Sequence, residues 1–114
     1  KSADLGGIGE MSKEEHYQKG MELFSEDKIE LAIEALTEAV EEDPEYGDAL
    51  HALAMSYYHM GEIEKAIERG EQLKAAEPGN VHAYTCLSMF YNAKGLIAKA
   101  EEMGAAAADL GSGG

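Results

Sequence analysis

The sequence predicts an all-α protein, an α-solenoid of three helix-turn-helix units with six antiparallel helices. Apolar residues recur at helical spacing through most of the chain, and short turn signals separate the periodic segments. Several residues also return every 34 positions: Ala32, Ala66 and Ala100; Met21, Met55 and Met89; Pro44 and Pro78; Tyr57 and Tyr91; Gly61 and Gly95; Gly70 and Gly104. A helix-turn-helix repeat of this period is typical of a stacked solenoid rather than a domain with one central core.

The composition of the 114 residues excludes several classes of function. The formal net charge of −14 argues against nucleic acid or an anionic membrane as partner, since both attract clustered Lys and Arg. No apolar run approaches the ~20 residues that a membrane-spanning helix needs. The start KSADLGGIGE lacks the apolar stretch of a secretory signal, so we expect a cytoplasmic location. Cys86, the one cysteine, cannot form an internal disulfide, which favours a reducing compartment without requiring one.

The two ends of the chain lack the helical period. Residues 1–11 are expected to be a disordered or tag-like extension, because the first ten carry three glycines and Met11-Ser12 has the form of a natural start. Residues 12–110 make up the predicted repeat domain. Residues 111–114, with the sequence GSGG, are typical of a flexible tail.

Six helices are predicted from the apolar spacing and from capping signals at their ends. The first begins at Ser12, since the run SKEE places a capping hydroxyl three residues before a glutamate. Asp43-Pro44 is expected to end the second helix and to begin the third, as cap and first turn. Gly61 is expected in the left-handed conformation, and Asn80 as the cap of the fifth helix. The predicted ranges are about 12–25, 29–42, 45–60, 63–76, 81–94 and 96–110.

Residues 13–46, 47–80 and 81–114 resemble three tetratricopeptide repeats. The second repeat carries the family pattern in Leu50, Leu53, Ala54, Tyr57, Gly61, Ala66 and Pro78, and the third in Tyr84, Leu87, Ser88, Tyr91, Gly95, Ala100 and Ala107. The first repeat matches poorly in its first helix and well in its second, through Ala32, Leu36, Ala39 and Pro44. The resemblance implies a right-handed solenoid that acts in protein–protein interaction.

Two features depart from the family pattern. Gly70 and Gly104 stand where the family usually has a bulky residue, and a glycine inside a helix costs roughly 1 kcal/mol relative to alanine. The recurrence suggests close packing, with Met60, Phe90 or Met103 filling the space; drift in a repeat copy is the alternative. No capping helix follows the sixth helix, so its apolar side is expected to be exposed and open to further repeats or a second copy: Ile97, Met103 and Leu110.

In this family the first helix of each repeat lines a concave groove that binds partner segments. Carried over by position, the resemblance places one methionine per repeat in this groove, flanked by aromatic and polar side chains, with Glu14 and Asp48 beside them. Methionine is unbranched and polarizable, so such a surface adapts to different apolar side chains, although burial is the commoner role of a methionine stripe. The candidate groove residues are Tyr17, Met21, Phe24, His51, Met55, Tyr58, His59, His82, Thr85, Met89 and Asn92.

The absence of cationic groove residues bears on the partner. One subclass of the family clamps the C-terminal carboxylate of chaperone tails with Lys, Asn and Arg, and the equivalent positions here hold Tyr17, Met21, His51, Thr85 and Met89. The predicted function is therefore an adaptor or co-chaperone-like scaffold that binds an apolar or basic peptide segment. The acidic run from Glu30 to Glu45 is expected to be mainly a solvated helix face, with steering of a basic partner as the alternative.

Two other functions stay open. The exposed terminal helix could drive self-assembly into a structural scaffold, a homo-oligomer. A soft copper site could form from His82 and Cys86, with His51, His59 and Met55 nearby, although no closed cysteine spacing supports it and a buried, inert thiol is the default. No phosphate-binding loop or paired-carboxylate pocket is readable, so neither an enzyme nor a cofactor is predicted.

Overall fold

The computed structural model describes residues 11–112, and this range folds into six α-helices without a strand. The helices are α1 (Lys13–Ser25), α2 (Ile29–Glu42), α3 (Gly47–His59), α4 (Ile63–Ala76), α5 (Val81–Lys94) and α6 (Ile97–Gly111). The predicted all-α fold is confirmed. Residues 1–10, 113 and 114 lie outside the described residues, so the predicted disordered extension and flexible tail stay predictions, except that α6 continues through Gly111.

Local capping signals mark the N-termini of α1 and α5 and the C-terminus of α3. The Ser12 hydroxyl accepts a hydrogen bond from the Glu15 N–H at 3.2 Å, and the Ser12 N–H donates to the Glu15 carboxylate at 2.8 Å. This reciprocal pair is the predicted capping box. The Asn80 side chain accepts from the N–H of His82 at 2.9 Å and caps α5. Gly61 has a φ of +79°, the left-handed conformation that lets α3 end in a tight turn.

The prediction for Asp43 and Pro44 was right for the end of α2 and wrong for the start of α3. Asp43 does not cap α3; it ends α2, where its N–H donates to the Ala39 carbonyl at 3.0 Å. The Tyr46 N–H then donates to the Asp43 carbonyl at 3.0 Å, which closes a turn around Pro44. As a result α3 begins at Gly47, two residues later than predicted.

The first helices of the three repeats line the inside of the curve. Each helix packs against its neighbours in the chain, and α1 also contacts α3, as α3 contacts α5. Within residues 11–112 the second helices, α2, α4 and α6, make no such contacts with one another. Because the more closely spaced row of helices lies on the inner side of a bent stack, α1, α3 and α5 form the concave face.

Two hydrophobic clusters hold the repeats together. The first centres on Leu36, Leu50 and Leu53 and joins the first repeat to the second, which we call the first junction. The other centres on Leu87 and Phe90 and joins the second repeat to the third, the second junction. The two junctions therefore have the same backbone plan but separate cores.

The two junctions carry their large side chain on opposite helices. At the first junction it lies on the second helix of the preceding repeat, and at the second junction on the first helix of the following repeat. At the second junction a Cβ on Gly70 would lie 2.8 Å from a terminal carbon of Leu87 and 3.6 Å from the Phe90 ring. The positions 34 residues earlier hold Leu36 in place of Gly70 and the buried Ser56 in place of Phe90. Gly70 therefore makes room for Leu87 and Phe90, and of the three side chains predicted to fill this space Phe90 is the one found against Gly70.

The last helix only partly matches the exposed apolar face predicted for it. Ile97 is 51% exposed, as expected, whereas Leu110 is partly buried. Met103 is only 6% exposed and belongs to the second core, so its assignment to the exposed face was wrong. The reason is helical phase: Met103 follows the buried Ala100 by three residues and turns with it toward α5.

Candidate functional site

The groove is built from equivalent positions of α1, α3 and α5, so each row of side chains crosses all three repeats. Met21, Met55 and Met89 stand at equivalent positions of α1, α3 and α5, one in each repeat. Met21 and Met89 are 39% and 36% exposed, whereas Met55 is half-buried against the second core. The methionines thus differ in depth, with Met55 as the one that also contributes to packing.

Side chains of α1 and α3 enclose a pocket of about 310 Å³ in the groove of the first junction. Six of the predicted groove residues line this anchor pocket, together with Asp48 and Ala52: Tyr17, Met21, Phe24, His51, Met55 and His59. A space of this size accepts one large apolar side chain of a partner. Ala52 was not predicted from the sequence. It follows Asp48 by four residues and precedes Met55 by three, and this helical spacing could have shown that all three share one face of α3.

Two aromatic contacts explain why the anchor pocket opens at the first junction. Phe24 packs edge-on against His59, with ring centroids 5.1 Å apart, and both side chains line the pocket. Tyr58, the residue equivalent to Phe24 one repeat later, packs instead against Phe90 at 5.3 Å. Since the first junction has Ser56 in place of Phe90, Phe24 has no such ring beneath it.

The groove residues of the third repeat are smaller and more polar. Thr85 and Asn92 are exposed and take the places of Tyr17 and Phe24, and the Thr85 hydroxyl donates to the Val81 carbonyl of its own helix at 3.1 Å. The His82 ring faces His51 across α3 and α5, with centroids 5.6 Å apart. His82, Thr85, Met89 and Asn92 therefore lie on α5 outside the anchor pocket, and Tyr58 packs against the second core.

The electrostatics of the anchor pocket are set by one carboxylate and a neutral imidazole. Burial, reinforced by the neighbouring His82, lowers the pKa of His51, against the opposing field of Asp48. His51 is accordingly uncharged near pH 7. Burial and the Asp48 charge together raise the pKa of the Tyr17 phenol, which keeps that hydroxyl as a hydrogen-bond donor.

The residues proposed for a copper site do not converge in the structure. Cys86 is buried in the second core, its thiol donates to the Ala83 carbonyl at 3.3 Å, and burial raises its pKa to about 11. A thiol held protonated in this way is a poor metal ligand and a poor nucleophile. No group of three or more His, Cys, Asp or Glu side chains within residues 11–112 has an arrangement that could hold a metal ion.

A family model for the tetratricopeptide repeat matches residues 23–85, more than half of the chain. The chain therefore belongs to the tetratricopeptide repeat family, whose fold serves as a protein-interaction scaffold. Comparison with curated proteins finds no significant match. Within the described residues no helix is long and apolar enough to cross a membrane.

Solved structures of other repeat proteins share this fold. The crystal structure of MamA has a TM-score of 0.86 and 34% identity, and the match covers 89% of this chain and 59% of that one. The second repeat domain of Spaghetti (RPAP3), bound to the HSP90 peptide SRMEEVD, has a TM-score of 0.84 at 19% identity, with 93% and 98% of the two chains covered. YrrB, described as having an unusual peptide-binding site, has a TM-score of 0.84 at 24% identity, with 90% and 53% covered. The chain thus spans less than two thirds of the MamA chain.

Proposed function

We propose that this protein is an adaptor that binds an extended or helical segment of another protein in its concave groove. The anchor pocket carries the proposal, because it is concave, lined mainly by apolar and aromatic side chains, and of a size for one large apolar side chain. Binding of peptides by the fold relatives RPAP3 and YrrB, as their descriptions state, supports the same use of this surface.

The pocket lining also indicates how the groove would accommodate its partner. Met21 and Met55 can change rotamer at small cost and so adjust to anchors of different shape, whereas Tyr17, Phe24 and His59 supply broad, rigid walls. A flexible floor between rigid walls favours a side chain such as Leu, Met or Phe as the anchor. The remaining groove positions, in the third repeat, would bind the flanking backbone and polar side chains.

The test uses a phage-displayed random dodecapeptide library selected on the immobilised protein. The affinity of an enriched peptide is then measured by fluorescence anisotropy for the native protein and for Met55→Glu. We expect the Kd to rise at least about tenfold, or ~1.4 kcal/mol, because the new carboxylate lies in the apolar pocket. Circular dichroism should show unchanged helicity.

Two further variants distinguish the effect of a charge inside the pocket from the effect of a charge elsewhere on the protein. Leu31→Glu places the same charge on an exposed apolar residue of α2, outside the pocket, and should change the Kd less than about twofold. Met21→Glu tests the pocket at a residue that is already 39% exposed, so we expect this variant to be as stable as the native protein. If the peptide binds Met55→Glu and Met21→Glu as tightly as the native protein, the proposed function is wrong.

Self-association through the terminal helix is a second candidate function. Leu96 and Ile97, at the start of α6, are 45% and 51% exposed, and adjacent exposed apolar side chains of this size are candidates for an interface. Light scattering at rising concentration tests this directly, with Ile97→Lys as the matched variant. A native protein that stays monomeric at high concentration contradicts self-association and leaves the peptide-binding proposal untouched.

A further inference from the structure

One edge of the groove carries carboxylates in equivalent positions of the first two repeats. Glu14 lies in the first turn of α1 and Asp48 in the first turn of α3, 34 residues apart. Asp48 lines the anchor pocket. The same row ends at His82 in the third repeat, so the acidic edge lies beside the pocket and not along the whole groove.

Both carboxylates act on the aromatic side chains around the pocket. Tyr17 and Tyr46 pack together with ring centroids 5.6 Å apart, connecting α1 to the start of α3. The pKa of Tyr46 is raised by burial and then by the charges of Glu14 and Asp48, and Asp48 also raises that of Tyr17. The fields of the two carboxylates therefore overlap at Tyr46, which packs against the pocket residue Tyr17.

The protein supplies little positive charge to offset this edge. No residue that lines the pocket is a Lys or Arg, and within residues 11–112 neither Glu14 nor Asp48 takes part in a salt bridge. The nearby Lys13 is held by Asp43 at 2.5 Å and lies over the Tyr46 ring. Asp48 is exposed in the first turn of α3, and among residues 11–112 its carboxylate accepts no side-chain hydrogen bond, so it is free to accept one from a partner.

We propose that the segment bound in the groove carries a lysine or arginine beside its apolar anchor, and that this cation pairs with Asp48 while Glu14 strengthens the local negative field. The inference rests on the proposed function and adds the charge of the partner to it. A cation at the rim and an apolar anchor in the pocket together complement both features of the site. The same edge would repel a partner whose anchor is followed by a carboxylate.

The experiment repeats the dodecapeptide selection on native protein and on Asp48→Asn. Peptides selected on the native protein should be enriched in Lys or Arg within a few positions of a large apolar residue. Selection on Asp48→Asn should retain the apolar residue and lose the excess of cations. Asp109→Asn, which removes an exposed carboxylate of α6 outside the pocket, is the matched control and should retain both.

The affinity of one selected peptide measures the size of the effect. Replacing its cation by glutamine should weaken binding to the native protein about threefold to fivefold, the range expected for an exposed ion pair, and should leave binding to Asp48→Asn unchanged. Raising the salt concentration should reduce the difference.

The outcomes separate the two proposals. Enrichment of Asp, Glu or a free C-terminal carboxylate, or an excess of cations that persists on Asp48→Asn, overturns the assignment of a basic partner while the groove remains a peptide site. If no enriched peptide loses affinity for Met55→Glu, peptide binding in the pocket fails, and the inference about its charge fails with it.

Discussion

The two junctions between repeats have the same backbone plan and opposite consequences for the groove. At the first junction Leu36 supplies bulk from the second helix, Ser56 is small, and Phe24 is left to form a pocket wall. At the second junction Gly70 is small, Phe90 supplies the bulk, and Tyr58 packs onto its ring. The repeat period thus determines where the helices lie, whereas the position of the large side chains at a junction decides where a pocket can open.

The largest change in stability is expected when the side chains of the first junction are placed at positions 70 and 90 of the second junction. Phe90→Ser should lower the free energy of unfolding by about 3 kcal/mol or more, because it removes a fully buried ring opposite a glycine. Gly70→Leu alone should also destabilise, by about 1–3 kcal/mol, since it crowds Leu87.

The double variant Gly70→Leu/Phe90→Ser restores the pairing found at the first junction and should be more stable than the sum of the two changes implies. Urea denaturation of all four proteins gives the coupling energy, which we expect on the order of 1–3 kcal/mol. Strictly additive changes would show that Gly70 and Phe90 do not compensate for each other.

A smaller effect distinguishes Gly70 from Gly104, which occupies the same repeat position without a following repeat in the described chain. A Cβ on Gly104 would lie 3.5 Å from the Ser88 hydroxyl, an ordinary contact. Gly104→Ala should therefore stabilise by roughly 1 kcal/mol, the difference in helix propensity, as measured by urea denaturation. Gly70→Ala should fail to show this gain, because Leu87 must move; equal stabilisation by both changes would refute the close packing at Gly70.

The smallest expected effect is the pH dependence of the His51–His82 contact at the second junction. Because burial and His82 lower the pKa of His51, the unfolded chain binds the proton more tightly than the native protein. The contribution of His51 to stability is therefore present above pH ~6.5 and lost as the pH falls through the lowered pKa. The unfolding free energy at acid pH should fall more steeply for the native protein than for His51→Gln. Identical pH profiles would contradict the burial of His51 against His82.

The parts of the fold that depend on local signals could be predicted from the sequence. Ser12, Gly61 and Asn80 act through their own hydrogen bonds or backbone conformation, so they behave as predicted. Asp43-Pro44 is compatible with the end of one helix and the start of the next; in the structure Asp43 ends α2, and α3 begins only at Gly47. The burial of Met103 likewise depends on the direction in which α6 faces α5.

The candidate site was only partly predictable, for a related reason. The repeat positions predict eleven candidate residues, but they do not show that only six of them line the anchor pocket. That depends on Phe90 and Ser56, which lie beneath the groove in the core. The exchange of Leu36 and Ser56 for Gly70 and Phe90 is visible when the repeats are aligned, and could have indicated that the two junctions differ.

The six methionines provide the most direct test of the claim that a partner anchors at the first junction. Their isotope-labelled methyl groups can be followed by NMR while a peptide selected on the native protein is added. We expect the Met21 and Met55 signals to shift most, since both residues line the anchor pocket, with a smaller change at Met89. The Met103 signal, in the second core, should shift least. If Met89 shows the largest shift while Met21 and Met55 do not change, the partner does not anchor at the first junction.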